Sequence, residues 1–332
     1  LYLNSENALG DSSTRVLNVN GGAVGPDDNL SLAGANPTPI VLDGGGRIFF
    51  DGTTSESVSQ TLDINSDISG NGGLVLDVQN LRNNQNHIVD VTLGGTNTYS
   101  GTTTLRTTGR PTAKTDGHHD LIVRNGLADA LPTDTVLEFD NRFGQDNSLP
   151  DATRQPISYD LNGFNQQVAG LTQSVAQAVV GYLDANAVVN SGTAATLTVT
   201  NSTDYTFHGW LGVDNYGGAQ AFPETGNNFG LTKSGSGTLT LTATNSYAGA
   251  TIVSGGVLDV REASGLSNSS LISIEIGGIL RLENADNGDS PWTHTDFLEV
   301  NPNHNQIFAY AANGDYTDII KHPLAAMFII VR

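Results

Sequence analysis

The 332-residue chain carries 34 acidic residues against 14 Lys and Arg, giving a formal net charge of −20, and it has no cysteine. A surface of this sign repels polyanions, which argues against nucleic acid and anionic membrane as partners. The missing cysteine excludes a disulfide scaffold and a thiolate metal site.

Only 14% of residues are charged, against about 25% in an average domain. Thr, Ser, Asn and Gly fill the difference, and β-branched residues are plentiful, so a secreted all-β protein is expected rather than disorder. The chain begins at Leu1, which reads as a processed or excised fragment. No stretch approaches the roughly 20 apolar residues of a spanning helix; residues 324–331 are too few.

In chain order, residues 4–10 read as a brief turn or 3₁₀ element before a strand at 16–19 and the pair Gly21-Gly22. Short strands follow at 40–42, 48–50, 62–64 and 74–78. They are separated by Gly44-Gly45-Gly46, Asn71-Gly72 and the Asn-rich run at 83–86, residue types that accept turn conformations. Residues 107–120, 140–156 and 212–228 are polar and aperiodic, and read as loops leaving the fold. Residues 172–190 are the one helix candidate, with Val175, Ala178, Val179 and Tyr182 at spacings of three and four; two strands joined at Gly181 is the alternative. Corner-then-strand copies at 4–22, 125–139 and 263–278 imply a super-unit of roughly 120–135 residues, each holding several rungs of 20-odd residues.

The clearest pattern lies at 230–260, where Leu239 and Leu241 alternate with Thr238, Thr240 and Thr242, a half-buried strand. Leu241, Asn245, Tyr247, Gly249 and Thr251 repeat the order and spacing of Leu93, Asn97, Tyr99, Gly101 and Thr103. Architecture repeats where a catalytic site does not, so these positions point to a scaffold. Asn97 and Asn245 are expected to turn corners in the left-handed region or to bond neighbouring backbone, with Gly101 and Gly249 supplying bends. Tyr99 and Tyr247 are expected to cover a corner of the core.

The run LTKSGSGTLTL at 231–241, with TNSYAG at 244–249 and GGVL at 255–258, resembles the autotransporter-associated β-strand repeat of bacterial passenger domains. Residues 160–171, 195–199 and 204–207 are similar to segments that accompany it. The resemblance covers roughly 1–285 and is strongest at 89–105 and 159–260. It implies a right-handed parallel β-helix, exposed on or released from the cell surface as an adhesin, stalk or fibre. The chain departs from the family pattern in having no run of ten-residue amphipathic strands for an outer-membrane barrel.

Turns stacked 4.7–4.9 Å apart would bury their inward side chains in one column, and fourteen or so rungs would give a rod of roughly 65 Å. Asp63, Asp77, Asp90, Glu138, Asp140 and Asp160 are candidate acids for glycoside chemistry only by abundance, and a solvated outer face explains each better. His118 and His119 with Asp116 and Asp120 form the best metal-like cluster, yet neighbours on a strand point to opposite faces. Asp27-Asp28 and residues 284–289 offer oxygen ligands for loosely held calcium, without an EF-hand or nonapeptide pattern. No cofactor and no catalytic residue is otherwise expected.

The expected organisation is a β-helix over 1–289 and a cap or inter-subunit segment over 290–332. The expected role is non-catalytic, structural or adhesive and extracellular, through self-association into a fibre or contact with a glycan or protein. The alternatives are a polysaccharide-active enzyme on the same scaffold, or a glycan-binding module displaying Trp210 or Trp292.

Overall fold

The computed structural model describes residues 2–3, 16–26, 30–32, 38–51, 58–79, 87–108, 119–141, 157–174, 186–212, 226–243, 245–261, 266, 269–283, 297–301, 306–309 and 320–321. Within them the chain is all β. Strand residues alternate in burial as a two-residue period demands. Val89, Val91 and Leu93 are buried, for example, while Asp90 and Thr92 between them are partly exposed.

The strands climb in turns. After β1 (Tyr2–Leu3) come β2 (Leu17–Val19), β3 (Ala23–Pro26) and β4 (Leu30–Leu32). The next two turns are β5 (Ile40–Leu42), β6 (Gly46–Asp51) and β7 (Val58–Ile64), then β8 (Ile68–Ser69), β9 (Leu74–Gln79) and β10 (His87–Leu93). Two turns of two strands follow, β11 (Thr103–Thr108) with β12 (His119–Asn125) and β13 (Val136–Asn141) with β14 (Ile157–Asp160). Then come β15 (Gln166–Val168), β16 (Gly170–Gln173) and β17 (Asn186–Val199), which breaks register between Asn190 and Ala195 and so serves two faces. The later strands are β18 (Tyr205–Phe207), β19 (Trp210–Leu211), β20 (Asn227–Lys233), β21 (Thr238–Leu241), β22 (Thr251–Val253), β23 (Gly256–Val260), β24 (Ile272–Ile274) and β25 (Gly278–Glu283).

Each strand pairs in parallel with its counterparts one turn before and one turn after, which generates three faces. The first holds β2, β5 and β8, then β15, the second half of β17, β20, β22 and β24. Residues 97–99 and 129–131 continue it where no strand is assigned, through Thr98 N–H to the Ile68 carbonyl (2.7 Å) and Asp129 N–H to the Asn165 carbonyl (2.9 Å). The second face runs β1, β3, β6, β9, β11, β13 and β16, and then through β18, β21, β23 and β25. The third runs β4, β7, β10, β12, β14, the first half of β17 and β19, and continues into residues 245–247 by Ser246 N–H to the Leu211 carbonyl (2.8 Å). This is a coil of stacked parallel strands, consistent with a β-solenoid.

Inside it, one hydrophobic cluster extends from Val19 to Leu280. Leu62, Val91, Val123, Tyr159, Val188 and Leu211 lie one on another along the third face, and Ile48, Leu76, Leu105 and Phe139 along the second. Each such side chain removed from water contributes about 1.5–3 kcal/mol.

Several expectations need correction. A turn takes 29 to 36 residues between Leu62 and Val188 and only 20 or 21 between Leu231 and Ile272, not 20-odd throughout. The described strands therefore make about ten turns, a stack of about 50 Å rather than 65. The ends of the helix candidate lie in strands β16 and β17; Val175, Ala178, Val179 and Tyr182 lie outside the described residues. Thr107, Asp120, Asp140 and Asn227, placed in loops by sequence, also lie in strands; the middles of those three segments are outside the described residues.

The lengthening has one location. From the second turn to the sixth the longest connection joins the second face to the third: 52–57, 80–86, 109–118, 142–156 and 174–185. In those turns the corners between the other faces take a few residues each, whereas in the first turn the longest connection, 33–39, joins the third face to the first. Within the last 43 residues, the described strands β26 (Phe297–Asn301) and β27 (Gln306–Ala309) extend the second face antiparallel to β25, and β28 (Ile320–Lys321) pairs in parallel with β24.

Close stacking at several corners leaves no space for a side chain. A Cβ on Gly72 would lie 1.9 Å from the Gly45 nitrogen, whereas one on Gly22 would meet only Val19 Cγ1, at 4.0 Å. Gly72→Ala is expected to destabilise the fold by about 2 kcal/mol or more and Gly22→Ala by less than about 0.5 kcal/mol, read from urea midpoints at constant slope.

Candidate functional site

The repeated residues converge on a buried network at two corners. Tyr99 is 0% exposed and Tyr247 1%, so both lie inside the coil. The Tyr99 and Thr103 hydroxyls share a hydrogen bond of 2.5 Å, and Thr103 and Thr135 one of 2.9 Å; Thr135 Oγ1 then donates to the Gly101 carbonyl (2.8 Å). The second copy repeats this: Tyr247 with Thr251 at 2.7 Å, Thr251 with Ser269 at 2.8 Å, and Ser269 Oγ to the Gly249 carbonyl at 2.8 Å. Thr103 stands between Leu74 and Leu137 in its inward ladder, and Thr251 between Leu231 and Ile272. A hydroxyl there is tolerated because it is fully partnered. The third member of each relay follows the corner signatures at 125–132 and 263–267. Two sequence features read separately are thus consecutive turns of one unit.

Asn97 and Asn245 do not adopt the left-handed region, where the described non-glycine residues are Asp129 and Asn162. Their side chains stand in for a ladder strand. Asn97 Oδ1 accepts from Ile68 N–H (2.8 Å) while its amide donates to the Ala130 carbonyl (2.7 Å), bridging three turns. Asn245 Oδ1 accepts from Leu211 N–H (2.9 Å), and its amide donates locally to the Ala243 carbonyl (3.0 Å). Gly101 and Gly249 are required by proximity: a Cβ would lie 2.4 Å from the Gly73 nitrogen and 2.4 Å from the Phe229 oxygen, respectively.

The two copies are not in phase. Leu93 leaves the third face, Tyr99 sits on the first and Thr103 opens the second; Leu241 leaves the second, Tyr247 sits on the third and Thr251 opens the first. The motif is a corner module rotated by one face, and no feature of its spacing in the sequence indicates this.

Outward-facing acids form the second notable set. Asp77, Asp140 and Asp160 are 0, 3 and 0% exposed, which corrects the expectation of a solvated face. Guanidinium groups from neighbouring turns lie over them: Arg47 on Asp77 (3.3 Å) and Arg106 on Asp140 (2.7 Å). Arg124 bridges Asp90 (2.9 Å) and Asp160 across three turns, and Asp160 also accepts from Ser191 N–H and Oγ. Burial opposes the Arg124 charge, but the bonds and charges of Asp90 and Asp160 outweigh it and hold its pKa above the ordinary value. Glu138 is half-exposed and accepts from Thr104 Oγ1 (3.0 Å), and Asp63 is exposed.

Lys233 was not singled out by sequence. It is fully buried in the Val199–Val253 ladder, and its ammonium donates to the carbonyls of Ser234, Gly235 and Gly255 at 2.7, 3.1 and 3.0 Å. Burial lowers its pKa to about 8, with Asp204 acting in the opposite direction. It seals the corner between β20 and β21.

Other sequence candidates fare differently. Trp210 is only 9% exposed and packs with Ala187 and Val189 on the outside of the third face, so it offers no open platform for a sugar. Trp292, His118, Asp116, Asp27-Asp28 and 284–289 lie outside the described residues. His119 is in β12 with its backbone opposite His87. Among the described residues no group of three or more His, Asp or Glu converges as metal ligands would, and no helix is long and apolar enough to cross a membrane.

Stacked parallel turns with hydroxyl-bonded corners define a repeat protein. Residues 231–260 match the family model of the passenger-associated-transport repeat, so this stretch carries the repeat that the LTKSGSGTLTL run resembles. The match runs from the end of β20 through β23 and takes in Tyr247, Gly249 and Thr251 of the second network, but not Ser269. Neither the curated proteins nor the solved structures gave a match.

Removing one hydroxyl strands its neighbours, so Tyr247→Phe and Thr251→Val are each expected to cost about 1–3 kcal/mol, and the double variant less than their sum. Urea unfolding of the four-member cycle checks this. Burial raises the pKa of Tyr99, Tyr159 and Tyr247, against the lowering effect of their hydrogen bonds to Thr103, Asn125 and Thr251. The unfolded chain therefore releases these protons first. Their stability contribution is complete below about pH 10 and is lost as pH rises above it. Unfolding free energy measured against pH is expected to fall in that window, with each single Tyr→Phe variant reducing the slope by about one proton.

Proposed function

We propose that the chain is a right-handed parallel β-helix acting outside the cell, surface-displayed or released, as a structural or adhesive rod without catalysis. The observation that carries this reading is the continuity of the stack: one core from Val19 to Leu280, parallel pairing turn upon turn, and the passenger-associated-transport repeat within it. Such a coil is quasi-one-dimensional and transmits load along its axis.

The occupied carboxylates and the buried Trp210 support a supporting role over a sugar-cleaving or sugar-stacking one. Presentation is mostly from one side. The long connections of the second to sixth turns leave from the edge between the second and third faces, so a partner glycan or protein meets them in a single row. Residues 290–332 act as the cap of the coil, or as the segment through which a second copy docks to build a fibre, because an uncovered terminal turn is a template for another chain.

Electron microscopy of the purified protein is expected to show rods carrying about 50 Å of coil, or ordered polymers of them. A panel of polysaccharides incubated with it is expected to remain uncut. Release of sugar from any of them would overturn the non-catalytic role, and globular particles would overturn the rod.

A further inference from the structure

Asn–Gly occurs six times in the chain, at 20–21, 71–72, 125–126, 162–163, 287–288 and 313–314. It is the dipeptide that corners of this kind favour, since Gly21 and Gly163 have positive φ (62° and 84°) and Gly72 and Gly126 have neighbouring backbone where a Cβ would be. It is also the sequence most open to spontaneous cyclisation, because glycine leaves its own nitrogen unhindered. In that reaction the glycine nitrogen attacks the asparagine Cγ. The N–Cγ bond forms, the Cγ–Nδ2 bond breaks, and ammonia leaves with the proton that the backbone nitrogen gave up. Water then opens the cyclic imide to aspartate or to isoaspartate, which carries an extra backbone carbon.

In all four described pairs the attacking nitrogen is engaged by another turn. Gly21 N–H donates to the Gly45 carbonyl (2.7 Å), Gly72 to the Leu42 carbonyl (2.9 Å), Gly126 to the Leu93 carbonyl (2.8 Å) and Gly163 to Asn190 Oδ1 (2.7 Å). A second clamp holds three of the asparagine side chains. Asn71 Oδ1 accepts from Gly44 N–H (3.1 Å), and the Asn162 amide donates to the Asn125 carbonyl (2.9 Å). Asn125 is 0% exposed and takes the Tyr159 hydroxyl on Oδ1. Asn20 is exposed, and among the described residues it is held through the glycine nitrogen alone.

We propose that the stacking of turns suppresses cyclisation at these four pairs, so that deamidation proceeds only through local opening of a corner. The order follows from the clamps: Asn20 first, Asn71 and Asn162 next, Asn125 last.

The test is peptide mapping of the intact chain after incubation in mildly alkaline buffer, with the same chain in urea as the unprotected reference. All four sites are expected to convert more slowly when folded, by about tenfold or more, in the stated order. Equal rates in buffer and urea, or Asn125 converting as fast as Asn20, would overturn the proposal. Asn190→Ala removes the acceptor of Gly163 and is expected to accelerate Asn162 while Asn20 keeps its rate. An unchanged rate at Asn162 in that variant counts against the clamp. If the variant unfolds, all sites accelerate together and the wild-type comparison in urea decides.

Discussion

The spacing between successive turns governs this molecule. At about 4.8 Å every backbone N–H and C=O along a strand meets a partner above and below, but only while the chain runs parallel to its neighbour. At a corner the ladder is interrupted, and an unpaired buried amide costs about as much as a lost hydrogen bond. The chain meets that constraint in two ways. Glycine lets the backbones touch, as at Gly101 against Gly73, and asparagine extends a side-chain amide into the gap, as Asn97 does between Ile68 and Ala130.

The same constraint accounts for a core richer in hydroxyls than the hydrophobic effect alone would select. Tyr99 and Tyr247 fill the volume beneath a corner, and their hydroxyl groups then need partners in a dry interior. Threonine in the adjacent inward ladder supplies one, and the following turn supplies the next. Outside the coil, Arg47, Arg106 and Arg124 each join carboxylates to neighbouring turns. In a chain with net charge −20 this places several of its few cations where acids would otherwise repel from turn to turn.

Much of the architecture was legible because it is local. Two-residue alternation at 238–242 and the Leu, Asn, Tyr, Gly, Thr spacing are consequences of strand geometry and corner chemistry that act over a few residues. What lay beyond reach was set by contacts 20 to 36 residues away. The spacing that places Val175, Ala178, Val179 and Tyr182 on one helical face says nothing of the strands that begin and end that stretch. Burial of Asp77 depends on Arg47, 30 positions earlier, and alternation alone assigned it to solvent. Lys233 occupies an inward position that a hydrophobic pattern would reject, and only the three carbonyls around its ammonium explain it. The variable turn length concealed the rotation between the two motif copies.

That rotation has a mechanical meaning. Because the corner module closes its own hydrogen bonds, it does not depend on which side of the coil it occupies. Duplicating or deleting one strand-and-corner unit would turn everything downstream by a third of a revolution, as a detent advances a dial. The chain records one such step: from the second turn to the sixth, five long connections start from a single edge, and the connection at 213–226 starts from the next edge round. A lineage that shuffles these units has a means of re-aiming its surface loops around the axis while the interior column stays unchanged.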